Sequence, residues 1–220
     1  MAKVKLGVLV SGSGTNLQAI LDATRSGTLD AYVAIVISNQ PGVRALDRAK
    51  EAGVASRVIS HRDFADRAAF DAALLTALGE AQVSHVVLAG FMRVLTAGFL
   101  DAFPWRVINI HPALLPAFPG VHAQRQALAY GVKVAGCTVH FVDAGTDTGP
   151  IIAQSAVPVL ESDTEETLTA RILREEHRLL VAALAAIAEG DITVVPEPSG
   201  ARPRVALGER AAKRFAEARL

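Results

Sequence analysis

Two polar side chains at the end of one apolar run have the types and spacing needed to act on a carbonyl group. Asn109 and His111 stand two positions apart in residues 106–111, and Pro112 follows. Residues two apart in a strand leave the same face, so the amide and the imidazole would point together. Both are hydrogen-bond donors, which suits an oxygen that gains negative charge during a reaction. Proline ends the strand at the edge where ligands of open α/β sheets bind, which favours this role over a purely structural histidine.

A loop rich in Gly, Thr and Asp offers an acidic partner for this pair. Its carboxylates are Asp143 and Asp147, within residues 143–150. A carboxylate beside an imidazole raises the imidazole pKa and keeps the ring charged near neutral pH. We expect Asp147 to act in this way. We expect Asp143 to be an ordinary turn residue whose side chain bonds the nearby backbone.

A glycine-rich loop follows the first apolar run, with the sequence Ser-Gly-Ser-Gly-Thr-Asn at residues 11–16. Backbone N–H groups at the start of a helix form an anion site, so the loop is a candidate phosphate cradle. The alternative is a tight turn with a Thr or Asn helix cap. Leu17 stands where a dinucleotide fingerprint has its third glycine, and no acidic residue ends the second strand, so NAD binding is disfavoured.

Glu176 is the least expected charge in the sequence. In a helix it would lie near the centre of an apolar stripe that includes Leu168, Ile172 and Leu179. A buried carboxylate is costly unless it is paired or binds a ligand. The alternatives are a ligand role, a pair with a nearby arginine, or a rotated helix that brings Glu176 to solvent.

The remaining reactive side chains receive less weight. His61, His85 and His177 are expected at the surface or in packing, and His140 lies in a strand near the candidate site. Cys137, the single cysteine, has no base partner nearby in sequence and is expected to be a small buried residue. We find no spaced set of metal ligands and expect no metal.

Short β-branched runs alternate with helical periodicity in the first half of the chain. Helical spacing at residues 16–23 separates apolar runs at 4–10 and 31–37, which predicts a βαβ unit. The alternation continues with helices near 43–52 and 63–78, and with strands near 56–59, 84–90 and 106–111. The pattern predicts an α/β fold, Rossmann-like, with a mostly parallel twisted sheet and helices on both faces.

The pattern changes after His111. A proline-rich loop and a short helix near residues 123–130 precede two strands at 136–142 and 151–157, which could extend the sheet as an antiparallel pair. A long helix follows, opened by a candidate capping box at 162–165 and closed by Gly190. Residues 196–203 are expected to form a loop, and 208–220 a helical end of no assigned role. We expect one compact unit with a seam that divides residues 1–105 from 106–220.

Composition removes several protein classes. The chain has 220 residues, 51% apolar and 20% charged, with 22 basic and 22 acidic side chains. This balance disfavours nucleic acid or a membrane surface as the main partner. A single cysteine excludes a disulfide framework and fits a reducing compartment, so we expect a cytoplasmic protein. The apolar N-terminal run is too short to span a bilayer.

Four motifs occur along the chain: SGSGTNLQ at 11–18, LAGFMRVL at 88–95, NIHPALLP at 109–116 and DAGTDTGP at 143–150. Together they resemble the phosphoribosylglycinamide formyltransferases, folate-dependent enzymes of purine synthesis. The resemblance covers about residues 4 to 190. It implies direct transfer of a formyl group from 10-formyltetrahydrofolate to the amine of glycinamide ribonucleotide. No metal and no covalent enzyme intermediate are implied.

The resemblance also implies roles for individual residues. Asn109 and His111 would contact the formyl oxygen, and Asp147 would keep His111 protonated, so these three are the expected catalytic residues. The ribonucleotide would be held mainly in the half 1–105, and the half 106–220 would carry the catalytic strand and folate loops. The expected ribonucleotide contacts are Gly14, Thr15, Asn16 and Glu176. The expected folate contacts are Arg67, Met92, Arg93, Val94, Leu95, Asn109, Asp143, Ala144, Gly145, Thr146 and Asp147.

Two departures from the family pattern and several rivals stay open. Ala113 replaces the more usual serine, and the segment past Arg204 matches nothing in the family. A methionyl-tRNA formyltransferase would carry an RNA-binding domain, and a formyltetrahydrofolate deformylase usually has a regulatory domain ahead of its first strand. A non-catalytic nucleotide-binding module would not need His111. The oligomeric state is left open, with a homodimer as one option.

Overall fold

The computed structural model describes residues 3–197 and 202–217. Two compact units divide the chain between Asn109 and Ile110. The strands are β1 Val4–Val10, β2 Ala31–Ser38, β3 Ser56–Val58, β4 His85–Leu88, β5 Val107–His111, β6 Val134–Phe141, β7 Ile151–Pro158, β8 Ile192–Val195 and β9 Arg204–Leu207. The helices are α1 Thr15–Ser26, α2 Arg44–Glu51, α3 Arg67–Glu80, α4 Ala97–Ala102, α5 Ala123–Tyr130, α6 Glu165–Ala188 and α7 Glu209–Glu217.

Seven strands form one sheet in the order β3-β2-β1-β4-β5-β6-β7. The pairs β1–β2, β2–β3, β1–β4 and β4–β5 are parallel. The apolar runs make these strands because β-branched side chains pack well on a pleated surface that is covered by helices. The predicted α/β class with a mostly parallel sheet is confirmed.

Within the first unit, the chain enters a helix or loop at the carboxyl end of each strand. β1 and β2 carry fully buried residues such as Val8, Leu9 and Val36, which anchor the sheet. Since β2, β1 and β4 are neighbours and parallel, the loops that follow them emerge at one edge. The glycine-rich loop and residues 89–96 are two of these loops.

Within the second unit, β6 and β7 pair antiparallel, as predicted. The long helix α6 begins differently from the expectation. Its N-cap is Thr164, whose hydroxyl accepts from the Thr167 N–H and whose own N–H donates to the Thr167 hydroxyl. Asp163 instead binds the Arg171 guanidinium at 2.6 and 2.8 Å, so a partly buried ion pair braces the start of the helix.

A second small sheet, which was not predicted, lies near the end of the chain. β8 and β9 pair antiparallel, and α7 follows them. The Arg202 guanidinium donates to the Gly149 carbonyl, so this region braces the end of the loop that carries Asp147. The predicted loop at 196–203 and helix at 208–220 fall partly on residues 198–201 and 218–220, which lie outside the described residues. Nowhere in the described ranges is a helix long and apolar enough to cross a membrane.

Candidate active site

His111 ends β5 with its side chain only 5% exposed. Its Nε2 lies 2.9 Å from the Phe118 carbonyl oxygen, which can only accept, so Nε2 carries a proton. Its Nδ1 lies 3.4 Å from the Asp147 carboxylate. Both ring nitrogens therefore face hydrogen-bond acceptors. Asn109, half-buried two residues earlier on the same strand, leaves the same face.

The Asp147 carboxylate lies between two imidazoles. Oδ2 accepts from the Gly120 N–H at 2.7 Å and faces His111, and Oδ1 lies 3.7 Å from His140 Nε2. The Asp147 backbone has a φ of 54°, a left-handed conformation that costs energy for a residue other than glycine. These contacts hold the carboxylate in place in spite of that cost.

The surroundings of Asp147 keep it ionised. Burial raises the pKa of the Asp147 carboxyl, but the His140 ring, the Gly120 N–H and the charge of His111 outweigh burial and hold this pKa below its usual value. The carboxylate is therefore negative throughout the neutral range. Such a group can stabilise an imidazolium or accept a proton through water.

Sequence reasoning gave His140 little weight, but the structure places it in direct contact with the carboxylate group. His140 is buried in β6, and its Nδ1 donates to the Phe141 carbonyl at 2.8 Å. One signal was available: β6 and β7 flank the Asp147 loop, so a polar residue near the end of β6 must lie close to that loop. The sequence also gave no sign of the Phe118 and Gly120 contacts.

Asp143 acts as the turn residue expected from its position. Its Oδ1 accepts from the Gly145 N–H at 3.1 Å and from the Thr148 hydroxyl at 2.6 Å. Gly149 is required next to this turn, because a Cβ there would lie 1.7 Å from the Phe141 carbonyl oxygen. The turn therefore fixes the path of residues 143–149, which include the remaining predicted folate contacts Ala144 and Thr146.

In the first unit, the glycine-rich loop ends in a residue that must be glycine. Gly14 has a φ of +70°, and a Cβ there would lie 2.6 Å from the Ala45 Cβ. Gly14 is the N-cap of α1, and as a glycine it has no side chain that could cap the helix. The first helical residues are Thr15 and Asn16. Such a terminus suits an anionic group.

The other predicted contacts of the first unit lie on α3 and after β4. Arg67 is exposed at the first position of α3, whose N-cap Asp66 accepts from the Ala69 N–H. Met92 and Val94 are exposed apolar side chains, with Arg93 half-buried and Leu95 buried.

Glu176 stays inside the apolar stripe of α6 and is 6% exposed, so the alternative in which it reaches solvent is wrong. Burial raises the pKa of the nearby Cys137 thiol, and the carboxylates of Glu176 and Glu175 raise it further. Cys137 is fully buried, and its thiol is therefore protonated and inert at neutral pH. Among residues 3–197 and 202–217, no group of three or more His, Cys, Asp or Glu is placed to hold a metal ion.

The chain is similar in sequence and in fold to known proteins. The sequence matches the family described as formyl transferase over residues 4–184. It is 52% identical over 197 residues to the trifunctional purine biosynthetic protein adenosine-3 of Drosophila melanogaster, covering 89% of the chain but only 15% of that protein. It is 48% identical to the phosphoribosylglycinamide formyltransferase of Mycobacterium tuberculosis, covering 94% of the chain and 95% of that protein. The crystal structure of glycinamide ribonucleotide transformylase 1 from Symbiobacterium toebii superposes with a TM-score of 0.89 at 53% identity, covering 94% and 95% of the two chains.

Proposed function

The chain belongs to the formyl transferase family, and from this premise we propose that it transfers a formyl group from 10-formyltetrahydrofolate to the amine of glycinamide ribonucleotide. The reaction is a step of purine biosynthesis. The observation that carries the proposal is the contact between His111 and Asp147 at the end of β5, where a protonated ring would be a charged donor. The names of the relatives support the choice of substrate.

Attack of the amine on the formyl carbon turns the carbonyl oxygen into an oxyanion. Asn109 gives this oxygen a neutral donor, and His111 gives it a cationic one. A donor fixed where such charge develops is typically worth about 3 to 4 kcal/mol. His111 then passes a proton toward the leaving folate nitrogen, and a carboxylate or a water that it orients accepts the proton lost by the amine.

One step must precede the transfer. In the free chain, His111 Nε2 already donates to the Phe118 carbonyl, while Nδ1 faces Asp147. The formyl oxygen therefore replaces the Phe118 carbonyl at Nε2 in the reactive complex. Asp147 keeps its place at Nδ1 and stabilises the charged ring until its proton passes to the leaving nitrogen.

The binding residues are assigned from the family motifs, unit by unit. In the first unit, Gly14, Thr15 and Asn16 hold the phosphate region of the ribonucleotide, and Arg67 with Met92, Arg93, Val94 and Leu95 lines the folate site. In the second unit, Glu176 binds the ribose hydroxyls. The loop residues Asp143, Ala144, Gly145, Thr146 and Asp147 contact the folate. We further propose a cytoplasmic enzyme with small-molecule substrates and no metal cofactor.

The direct test is an assay of tetrahydrofolate formed from 10-formyltetrahydrofolate by the purified chain. The expected result is turnover only when glycinamide ribonucleotide is present. Equal turnover without it would assign the chain as a deformylase, and turnover only with charged initiator tRNA would assign it as a tRNA formyltransferase.

A His111→Ala variant tests the mechanism. It should lower kcat far more than it weakens binding of either substrate. The control is His122→Ala, which removes an exposed histidine. The thermal unfolding midpoints of both variants show whether the loss of a histidine has changed the stability of the fold. Full turnover by His111→Ala would leave a nucleotide-binding module as the better assignment.

A further inference from the structure

Residues 91–95, here called the exit segment, combine exposed apolar side chains with hydrogen bonds from neighbouring elements to the backbone at or beside its ends. Met92 is 66% exposed and Val94 is 55% exposed, although the segment belongs to no helix or strand. An exposed loop of this kind is ordinarily among the more mobile parts of a protein. Contacts at its ends would restrain it.

Ser11 supplies the contact at the first end. Its hydroxyl oxygen accepts from the Met92 N–H at 2.9 Å, and its own N–H donates to the Gly90 carbonyl at 3.0 Å. The same hydroxyl donates to Asn39 Oδ1 at 2.6 Å, and Asn39 is only 2% exposed. One side chain therefore joins the loops that follow β1, β2 and β4.

Asp71 and a ring contact hold the rest of the segment. Asp71 Oδ2 accepts from the Thr96 N–H at 2.7 Å, and Asp71 is 2% exposed on α3. The Phe91 ring stacks on Phe70, with centroids 6.5 Å apart and planes 15° apart. The segment is thus anchored at both ends, and its first anchor belongs to the glycine-rich loop.

We propose that Ser11 is a positioning residue that locks the exit segment in the conformation that receives the folate. The inference rests on the proposed function, because that function assigns the segment to folate and the glycine-rich loop to the ribonucleotide. Without the hydroxyl, the Met92 N–H and the buried Asn39 Oδ1 lose the partner that they share. The exit segment is then less restrained in the free protein and has to become ordered when folate binds. Ordering a loop at the moment of binding weakens the apparent affinity.

The kinetic test compares Ser11→Ala with Ser38→Ala. Ser38 is a matched control, because its hydroxyl is fully buried and bonds the carbonyl and the N–H of Gln40. Loss of one such hydrogen bond, about 1.4 kcal/mol, corresponds to about a tenfold rise in KM for 10-formyltetrahydrofolate. In Ser11→Ala this rise should exceed the change in kcat, and Ser38→Ala should show neither. A folate KM within twofold of the wild type in Ser11→Ala overturns the proposal.

A second measurement does not depend on activity. Amide hydrogen exchange should show the Met92 N–H protected in the wild type, and exchanging about ten times faster in Ser11→Ala but not in Ser38→Ala. A wild-type Met92 amide that exchanges as fast as in an unfolded peptide overturns the proposal, even if Ser11→Ala does not fold. An inactive wild type with a protected Met92 amide would instead refute the proposed function and leave the Ser11 anchor standing.

Discussion

Replacing Asp147 by asparagine removes one charge while the hydrogen bonds can be kept. The amide oxygen can take the place of Oδ2 and accept from the Gly120 N–H. The amide nitrogen then faces His140 Nε2, which can accept a hydrogen bond when Nδ1 holds the proton that it donates to the Phe141 carbonyl. We therefore expect the Asp147→Asn variant to fold.

The expected effect on catalysis follows from the distance between Asp147 and His111. At 3.4 Å, two unit charges attract by about 1 kcal/mol in water and by about 5 kcal/mol at an effective dielectric constant of about 20. Asp147 is 13% exposed and His111 5%, so the pair lies between these limits. If this attraction is what keeps His111 cationic in the transition state, kcat falls by between about tenfold and about five-thousandfold.

The variant should also change the pH dependence of stability, because the folded protein holds the Asp147 pKa below its unfolded value. The charge therefore stabilises the fold above the ordinary aspartate pKa of about 3.9, and this contribution is lost as the pH falls through the lowered folded-state pKa. The urea-unfolding free energies of the variant and the wild type should accordingly converge in acid.

Steady-state kinetics from pH 5 to 9 would test the catalytic part, with the surface variant Asp22→Asn as control. In Asp147→Asn, kcat should fall toward alkaline pH earlier than in the wild type, because the imidazolium has lost its partner. A folded Asp147→Asn variant with a kcat within twofold of the wild type and the same pH profile would refute the assigned role of Asp147.

Three further outcomes are expected. Gly14→Ala should lower the urea-unfolding free energy by about 2 to 5 kcal/mol, because the new Cβ is strained in the left-handed conformation and overlaps Ala45. Gly12→Ala should change this free energy little, because nothing lies within 4 Å of a Cβ there. Equal unfolding free energies for the two variants would contradict the close contact at Gly14. Burial, with a smaller effect of Arg106, lowers the pKa of His85 to about 4. Between about pH 6.5 and 4 the folded chain therefore binds fewer protons at His85 than the unfolded chain does. The stability that is present above about pH 6.5 is lost as the pH falls toward 4. Urea unfolding at pH 7.5 and 5 should show a loss of about 1 kcal/mol after allowance for partial exposure, and a His85→Gln variant that loses just as much would show that His85 is not responsible. Cys137 should react with a thiol reagent only after unfolding, and rapid modification of the native protein would disprove the fully buried, protonated thiol.

Local periodicity predicted most of the regular structure. The strands at 4–10 and 31–38 and the helix from 44 to 51 lie within about two residues of their predicted bounds. Short elements were missed: α4 has six residues, and β8 and β9 have four residues each. Elements this short contain too few turns or alternations for a helical or strand pattern of apolar residues to show in the sequence. A two-stranded hairpin also depends on packing against other parts of the chain.

The sequence by itself determined which side chains share a face, because the strand period of two is a property of the backbone. Asn109 and His111 were therefore paired from spacing alone, and the carbonyl chemistry followed from their types. Only the tertiary structure decided what surrounds them. The two imidazoles that flank Asp147, the Phe118 carbonyl on His111 and the Ser11 hydroxyl under Met92 join residues far apart in sequence. No local pattern records such contacts, because they arise only when the sheet brings the ends of different strands together.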